Sequence, residues 1–146
     1  MVRCSLFVAG HDGFGKLLLN RCMSRTNFEN LRVYQLSEEL ADLIWEMASK
    51  WDGFNRDTIG KQIVKSADSV GANIAEGTGR YGLQDNKRFG YFARGSLNET
   101  KHWLRRAYKR KLLTKQQVDA LKPIVDELAP RLNAYLNSIG RFSDNE

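Results

Sequence analysis

The chain has 146 residues, with 23 lysines and arginines against 17 aspartates and glutamates, which leaves a net charge of +6 and makes one domain the natural count. With 42% hydrophobic and 27% charged residues it has the composition of a globular protein, which excludes wholesale disorder. A chain of this length buries roughly 68% of the surface its unfolded form exposes, so it needs neither metal nor disulfide staples. Its only prolines are Pro123 and Pro130, and alternating β-branched runs are few, so a helical protein is expected.

Residues 1–27 carry clustered glycines, Gly10, Gly13 and Gly15, and no lasting period. They are expected to form a poorly ordered extension of the domain at 28–140, with 141–146 as a tail. Cys4 and Cys22 have no Cys or His partner at metal-ligand spacing. They read as incidental thiols of a reducing cytosol, with a redox or metal pair as the alternative. Leu6-Phe7-Val8-Ala9 is too short for a signal peptide and is cut off by His11-Asp12. No stretch approaches the roughly 20 apolar residues of a membrane span, so a soluble, cytoplasmic protein is expected.

Four helical patterns follow. The first, about 33–50, repeats Leu36, Leu40, Leu43, Ile44 and Met47 on one face and carries Glu38, Glu39, Asp42 and Glu46 on the other. The turn Trp51-Asp52-Gly53-Phe54-Asn55 precedes a second helix, about 58–77, with Asp57 as its expected N-cap and Ile59, Ile63, Ala67, Val70 and Ile74 on its apolar side. Gly77, Gly79 and Gly82 end it, and Gly77 is expected to permit the sharp exit. A third helix spans about 84–111. The fourth opens on the capping box Thr114-Lys115-Gln116-Gln117 and continues through both prolines as one kinked element. Four amphipathic helices with short connections predict an all-α, antiparallel up-and-down four-helix bundle.

The charge is concentrated. Residues 33–56 sum to −3, whereas 80–111 sum to +8, with ten basic residues against Asp85 and Glu99. At 100° per residue, Lys87, Arg94, Lys101, Arg105 and Lys109 fall within roughly 40° of one direction. Phe89, Phe92, Ala93, Ser96, Thr100, Trp103 and Ala107 centre on the opposite side, as a core face. The cationic stripe is about 33 Å long at 1.5 Å per residue, enough to reach several phosphates. Tyr91 and His102 lie on or beside it, where a ring can stack on an unpaired base. Three readings stand at this point: contact with a phosphate backbone, an ordinary solvated face, or an acidic protein partner. Glu38, Glu39, Asp42 and Glu46 of a neighbouring subunit are candidates for the last.

The segment Ser69-Val70-Gly71-Ala72-Asn73-Ile74-Ala75-Glu76-Gly77, with Arg80, Leu31-Arg32-Val33-Tyr34-Gln35 upstream, and Arg88-Phe89 and Ala93-Arg94-Gly95-Ser96-Leu97-Asn98-Glu99 downstream, resembles the four helix bundle protein family. First-described members of that family are encoded in intervening sequences of bacterial 23S ribosomal RNA genes. The resemblance covers about 28–139 and implies a short up-and-down bundle, a ring of five subunits, an RNA- or ribosome-associated role and no catalysis. Asp52-Gly53-Phe54 departs from the usual phenylalanine-proline of the first loop. Within the motif, Glu76, Arg80 and Glu99 are expected to form one polar network that ties the turn after helix two to the bundle. Asn73 is expected to be hydrogen-bonded near the packed face, and a ligand or RNA site at the same place is the alternative.

His11 and His102 lie in different segments, and no nucleophile, metal or phosphate-loop constellation appears. The expectation is therefore a non-enzyme with no cofactor, metal, membrane or small-molecule partner. It either binds structured, ribosomal RNA as a homo-oligomer or serves as an oligomeric scaffold for a protein.

Overall fold

A computed structural model describes residues 27–140, so Cys4, Cys22, His11, most of the glycine-rich N-terminal stretch and the tail at 141–146 lie outside the described residues. Four long helices carry the fold: α1 (Arg32–Ala48), α2 (Lys61–Thr78), α3 (Leu83–Lys109) and α4 (Lys115–Ser138). A single 3-10 turn, Asn27–Asn30, leads into α1, and no strand occurs among the described residues.

Helix α1 forms because Val33, Leu36, Leu40, Ile44 and Met47 recur at helical spacing, and all five are buried. Tyr34 packs edge-on against Phe28 at 4.9 Å between ring centres. Burial, with Glu38 beside it, pushes the Tyr34 phenol up to about 12.

The next helix begins earlier than expected. Asp52, rather than Asp57, is the cap: its carboxylate accepts from the Asn55 amide at 3.1 Å and from Asn55 Nδ2 at 2.6 Å. A helical turn, Gly53–Asn55, and a π-helical segment, Arg56–Gly60, then feed directly into α2. Asp57 lies inside this run and pairs with Lys61 at 3.3 Å. An Asx cap on a glycine-started turn outcompetes one five residues later, because each earlier turn adds backbone bonds to the same helix.

Thr114 and Gln117 close the expected capping box, with Thr114 Oγ1 accepting at 3.2 Å and Gln117 Oε1 at 2.9 Å. Helix α4 runs unbroken through Pro123 and Pro130. Each proline deprives the carbonyl four residues earlier of its donor. Those carbonyls belong to Asp119 and Asp126, which are exposed, as are the prolines, so both interruptions lie on the solvent side of the helix.

All four helices contribute to the core, including Leu40 and Ile44, Val70 and Ile74, Ala93 and Leu97, and Leu128 and Leu132. Each fully buried Leu or Ile stabilises the fold by about 2 kcal/mol. Small residues set the spacing. A Cβ on Gly71 would lie 2.9 Å from Ser37 Oγ, and one on Gly90 would lie 2.5 Å from Leu136 Cδ2. A buried polar bond between helices joins Thr100 Oγ1 to Ser66 Oγ at 3.1 Å, and Thr100 also reaches the Ser96 carbonyl at 2.8 Å. Both α1 and α3 pack on α2 and α4, so α1 and α3 occupy opposite corners of the bundle.

Candidate nucleic-acid interface

Helix α3 has Asp85 in its first turn and Arg106 and Lys109 in its last, the arrangement that suits the helix dipole. Along it, Arg94, Arg105 and Lys109 are exposed and Lys87 and Lys101 are half-buried. None of these five makes an ion pair among the described residues. Arg88, by contrast, is held by Asp85 at 3.2 Å. A row of unpaired cations repels itself and gains free energy when a polyanion replaces their counterions.

The core side of α3 differs from the expected one. Phe89, Gly90, Ala93, Leu97, Thr100 and Ala107 are buried, which turns the core direction about 50° from the sequence expectation at 100° per residue. Phe92, expected in the core, is 50% exposed, and Trp103 and Ser96 are half-buried. Close packing of α2 and α4 selects the strip of small residues, and the large aromatic rings are displaced to its outer margin. The stripe consequently runs along the flank facing α4. Lys101, Arg105 and Lys109 border a groove floored by Leu104, Leu121 and Val125, with Lys122 and Asp126 on its far wall. Asp126 is itself paired with Lys122. Arg106, on the same groove, keeps a buried Nε without a hydrogen-bond partner.

The aromatic groups are placed as follows. Tyr91 is 46% exposed, with the Arg94 guanidinium 5.0 Å from its ring centre. His102 is exposed and meets Trp103 edge-on at 5.0 Å. Phe92 meets Phe89 edge-on at 5.6 Å. Sequence periodicity alone missed Phe92 as a surface group, because an aromatic beside a core stripe reads as core.

The turn motif separates into parts, and its expected three-member network does not form. Arg80 pairs with Glu76 and lies 4.6 Å above the Phe89 ring. Glu99 instead accepts from Trp103 Nε1 at 3.3 Å. It sits about 24 Å along the α3 axis from Leu83, beyond the reach of Arg80 at the turn. Asn73 donates to the Ser69 carbonyl one turn back at 2.7 Å. Gly77 is not the exit. It is buried within α2, where a Cβ would lie 2.8 Å from Asn86 Oδ1 and 3.0 Å from Phe89 Cβ, and Gly79 caps the helix. Asn86 also accepts from the Tyr135 hydroxyl at 3.2 Å, and burial raises the Tyr135 phenol.

Gly95 has the opposite character. It is exposed in the middle of α3, and a Cβ there would touch nothing within 4 Å. An unpacked glycine costs a helix about 1 kcal/mol relative to alanine.

On the other side of the molecule Glu38, Asp42 and Glu46 are exposed, and Trp45 is 60% exposed. Trp45 borders a shallow groove between α1 and α2 with Val64, Asp68 and Ala72. Partial burial, with a smaller effect from Asp42, raises the Asp68 carboxyl.

No helix of the described residues is long and apolar enough to cross a membrane. A search of curated proteins finds no match. Among solved structures, the chain is similar to a protein of unknown function from the S23 ribosomal protein family of Bacteroides thetaiotaomicron. The TM-score is 0.66 at 24% identity, over 73% of this chain and 96% of that one. At this identity the likeness establishes the fold: a helical one. The sequence model of the 23S rRNA-intervening sequence protein matches residues 29–134, which takes in α1, α2 and α3 and most of α4. A match over that much of the chain places it: this protein belongs to the 23S rRNA-intervening sequence protein family.

Proposed function

We propose that the protein is a non-catalytic, oligomeric RNA-associated protein that holds structured, ribosomal RNA by its phosphates along the basic flank of α3. The observation that carries this reading is the run of five cations, Lys87, Arg94, Lys101, Arg105 and Lys109, with no acidic partner among the described residues. Membership of a family named for ribosomal RNA supports it. Contacts of this kind fix position with little base selection, and their affinity falls steeply with salt.

The helices are taken to follow an up-and-down antiparallel order. The pairing of Gly77 with Phe89 and Ser66 with Thr100 supports this for α2 and α3, and the closeness of Gly90 to Leu136 does so for α3 and α4. Assembly into a homo-oligomer, a pentamer by resemblance, would multiply the stripe around one particle.

The test is RNA binding across a salt series with the triple variant Arg94→Glu, Lys101→Glu, Arg105→Glu. Loss of binding with unchanged helical circular dichroism is expected, since all three positions lie outside the core cluster. Single replacements by alanine should each flatten the slope of log K against log salt by about 1. A triple variant that binds RNA as well as the wild type would refute the assignment.

A second reading, an oligomeric scaffold for a protein partner, is favoured by the exposed acidic face of α1 beside Trp45. It expects an assembly that dissociates in salt and carries no nucleic acid.

A further inference from the structure

Beyond the cationic flank, α3 has an outer face that contributes no buried residue to the core. Arg88, Gly95 and His102 share one side of the helix at spacings of seven residues, with Tyr91 on one margin and Phe92 on the other. Both margin rings are about half-exposed, and Gly95 between them leaves the helix backbone bare. Arg94 already lies against the Tyr91 ring, and Arg80 and Arg88 lie 4.6 and 5.8 Å from the centre of Phe89, which supports Phe92 from behind. Two accessible rings interleaved with guanidinium groups, over a gap wide enough for close approach, are the requirements of a stacking platform for unpaired bases.

We infer that this outer face, Arg88, Tyr91, Phe92 and Gly95, binds an unpaired stretch of RNA by base stacking, next to the phosphate-holding flank. The inference rests on the RNA reading given above and adds to it the class of RNA recognised. The same face of a second copy is a poor occupant, because the segment 80–111 carries +8 and would meet its own charge. A polyanion with exposed π-faces matches both the charge and the rings. A base stacked on Tyr91 would join the Arg94 guanidinium already seated on that ring. The sugar-phosphate strand would cross at Gly95, where no side chain stands in its way.

The test uses the full-length protein with two RNA probes of equal length, a single strand carrying 2-aminopurine and a blunt duplex. Fluorescence anisotropy reports binding, and 2-aminopurine quenching reports stacking. Tyr91→Ala and Phe92→Ala should each weaken the single strand by about tenfold, reduce quenching, and leave duplex affinity within about twofold. Gly95→Leu, which fills the gap from an exposed position, should act in the same direction. The triple Glu variant of the flank should lose both probes. If neither probe binds the wild-type protein, the RNA reading and this inference both fail. If the duplex binds but the three outer-face variants bind the single strand as the wild type does, this inference alone is overturned. If those variants instead change the mass measured by light scattering and leave both affinities intact, the face is a subunit contact and the inference is again overturned.

Discussion

Two glycines show how much a single position depends on what stands opposite it. Gly77 faces Asn86 and Phe89 so closely that a methyl group would force them apart, whereas Gly95 faces open space. Gly77→Ala is therefore expected to destabilise the fold by about 1–3 kcal/mol through overpacking. Gly95→Ala is expected to stabilise it by about 0.5–1 kcal/mol through better helix propensity alone. Urea unfolding of the two variants checks both signs, and equal effects would contradict the difference in surroundings. The same comparison separates two meanings of a motif residue. Gly77 lies where the resemblance placed an important glycine, yet its role is the approach of α2 to α3 rather than a turn. Asn73 and Arg80 satisfy neighbours one turn away on their own stretch of chain.

At the level of the helices, periodicity located α1 and α3 to within one or two residues of their observed ends, and the capping box located the start of α4. A repeat of apolar residues registers which chain segments are helical, whatever they pack against. It says less about direction. On α3 the expected core took in Phe92, Ser96 and Trp103 beside Phe89, Ala93, Thr100 and Ala107, whereas the observed one has Gly90 and Leu97 in place of the first three, because the neighbouring helix comes closest where Gly90 lets it. The start of the helical run that leads into α2 was missed for a different reason: Asp52 and Asp57 are both acceptable caps, and only the surrounding turn favours the first. The five stripe cations were all legible as a row, but their position on the flank beside α4 was not, since it follows from the rotated core. For α4, the capping box at Thr114 is the element's one specific start signal. Thr114→Ala should cost about 1 kcal/mol by thermal or urea unfolding, with RNA affinity unchanged, since the cap lies outside the stripe.

Across the whole molecule, Arg32 of α1 ties two elements together by bonding the Glu127 carboxylate of α4 at 3.2 and 3.3 Å, as well as Glu39 at 3.2 Å. The hydrogen bond from Arg32, followed by that from Arg131, holds the Glu127 carboxyl below its ordinary value. A depressed acid contributes stability above its unfolded pKa and loses it as pH falls through the folded one. Urea midpoints measured from pH 7 down to pH 3 should therefore fall less for Glu127→Gln than for the wild type, with the difference confined to pH values below about 4.5. Parallel curves would show that the tie contributes nothing.

The separation of charge between opposite corners of the bundle, acidic α1 and basic α3, also bears on how a partner is met rather than how tightly it is kept. Such a molecule is a permanent dipole. In the field of a polyanion it turns before touching, so encounters are pre-aligned with α3 leading, and the torque is strongest in dilute electrolyte. Ionic strength should accordingly act chiefly on the bimolecular capture rate, while escape, once contact is made, follows the local contacts.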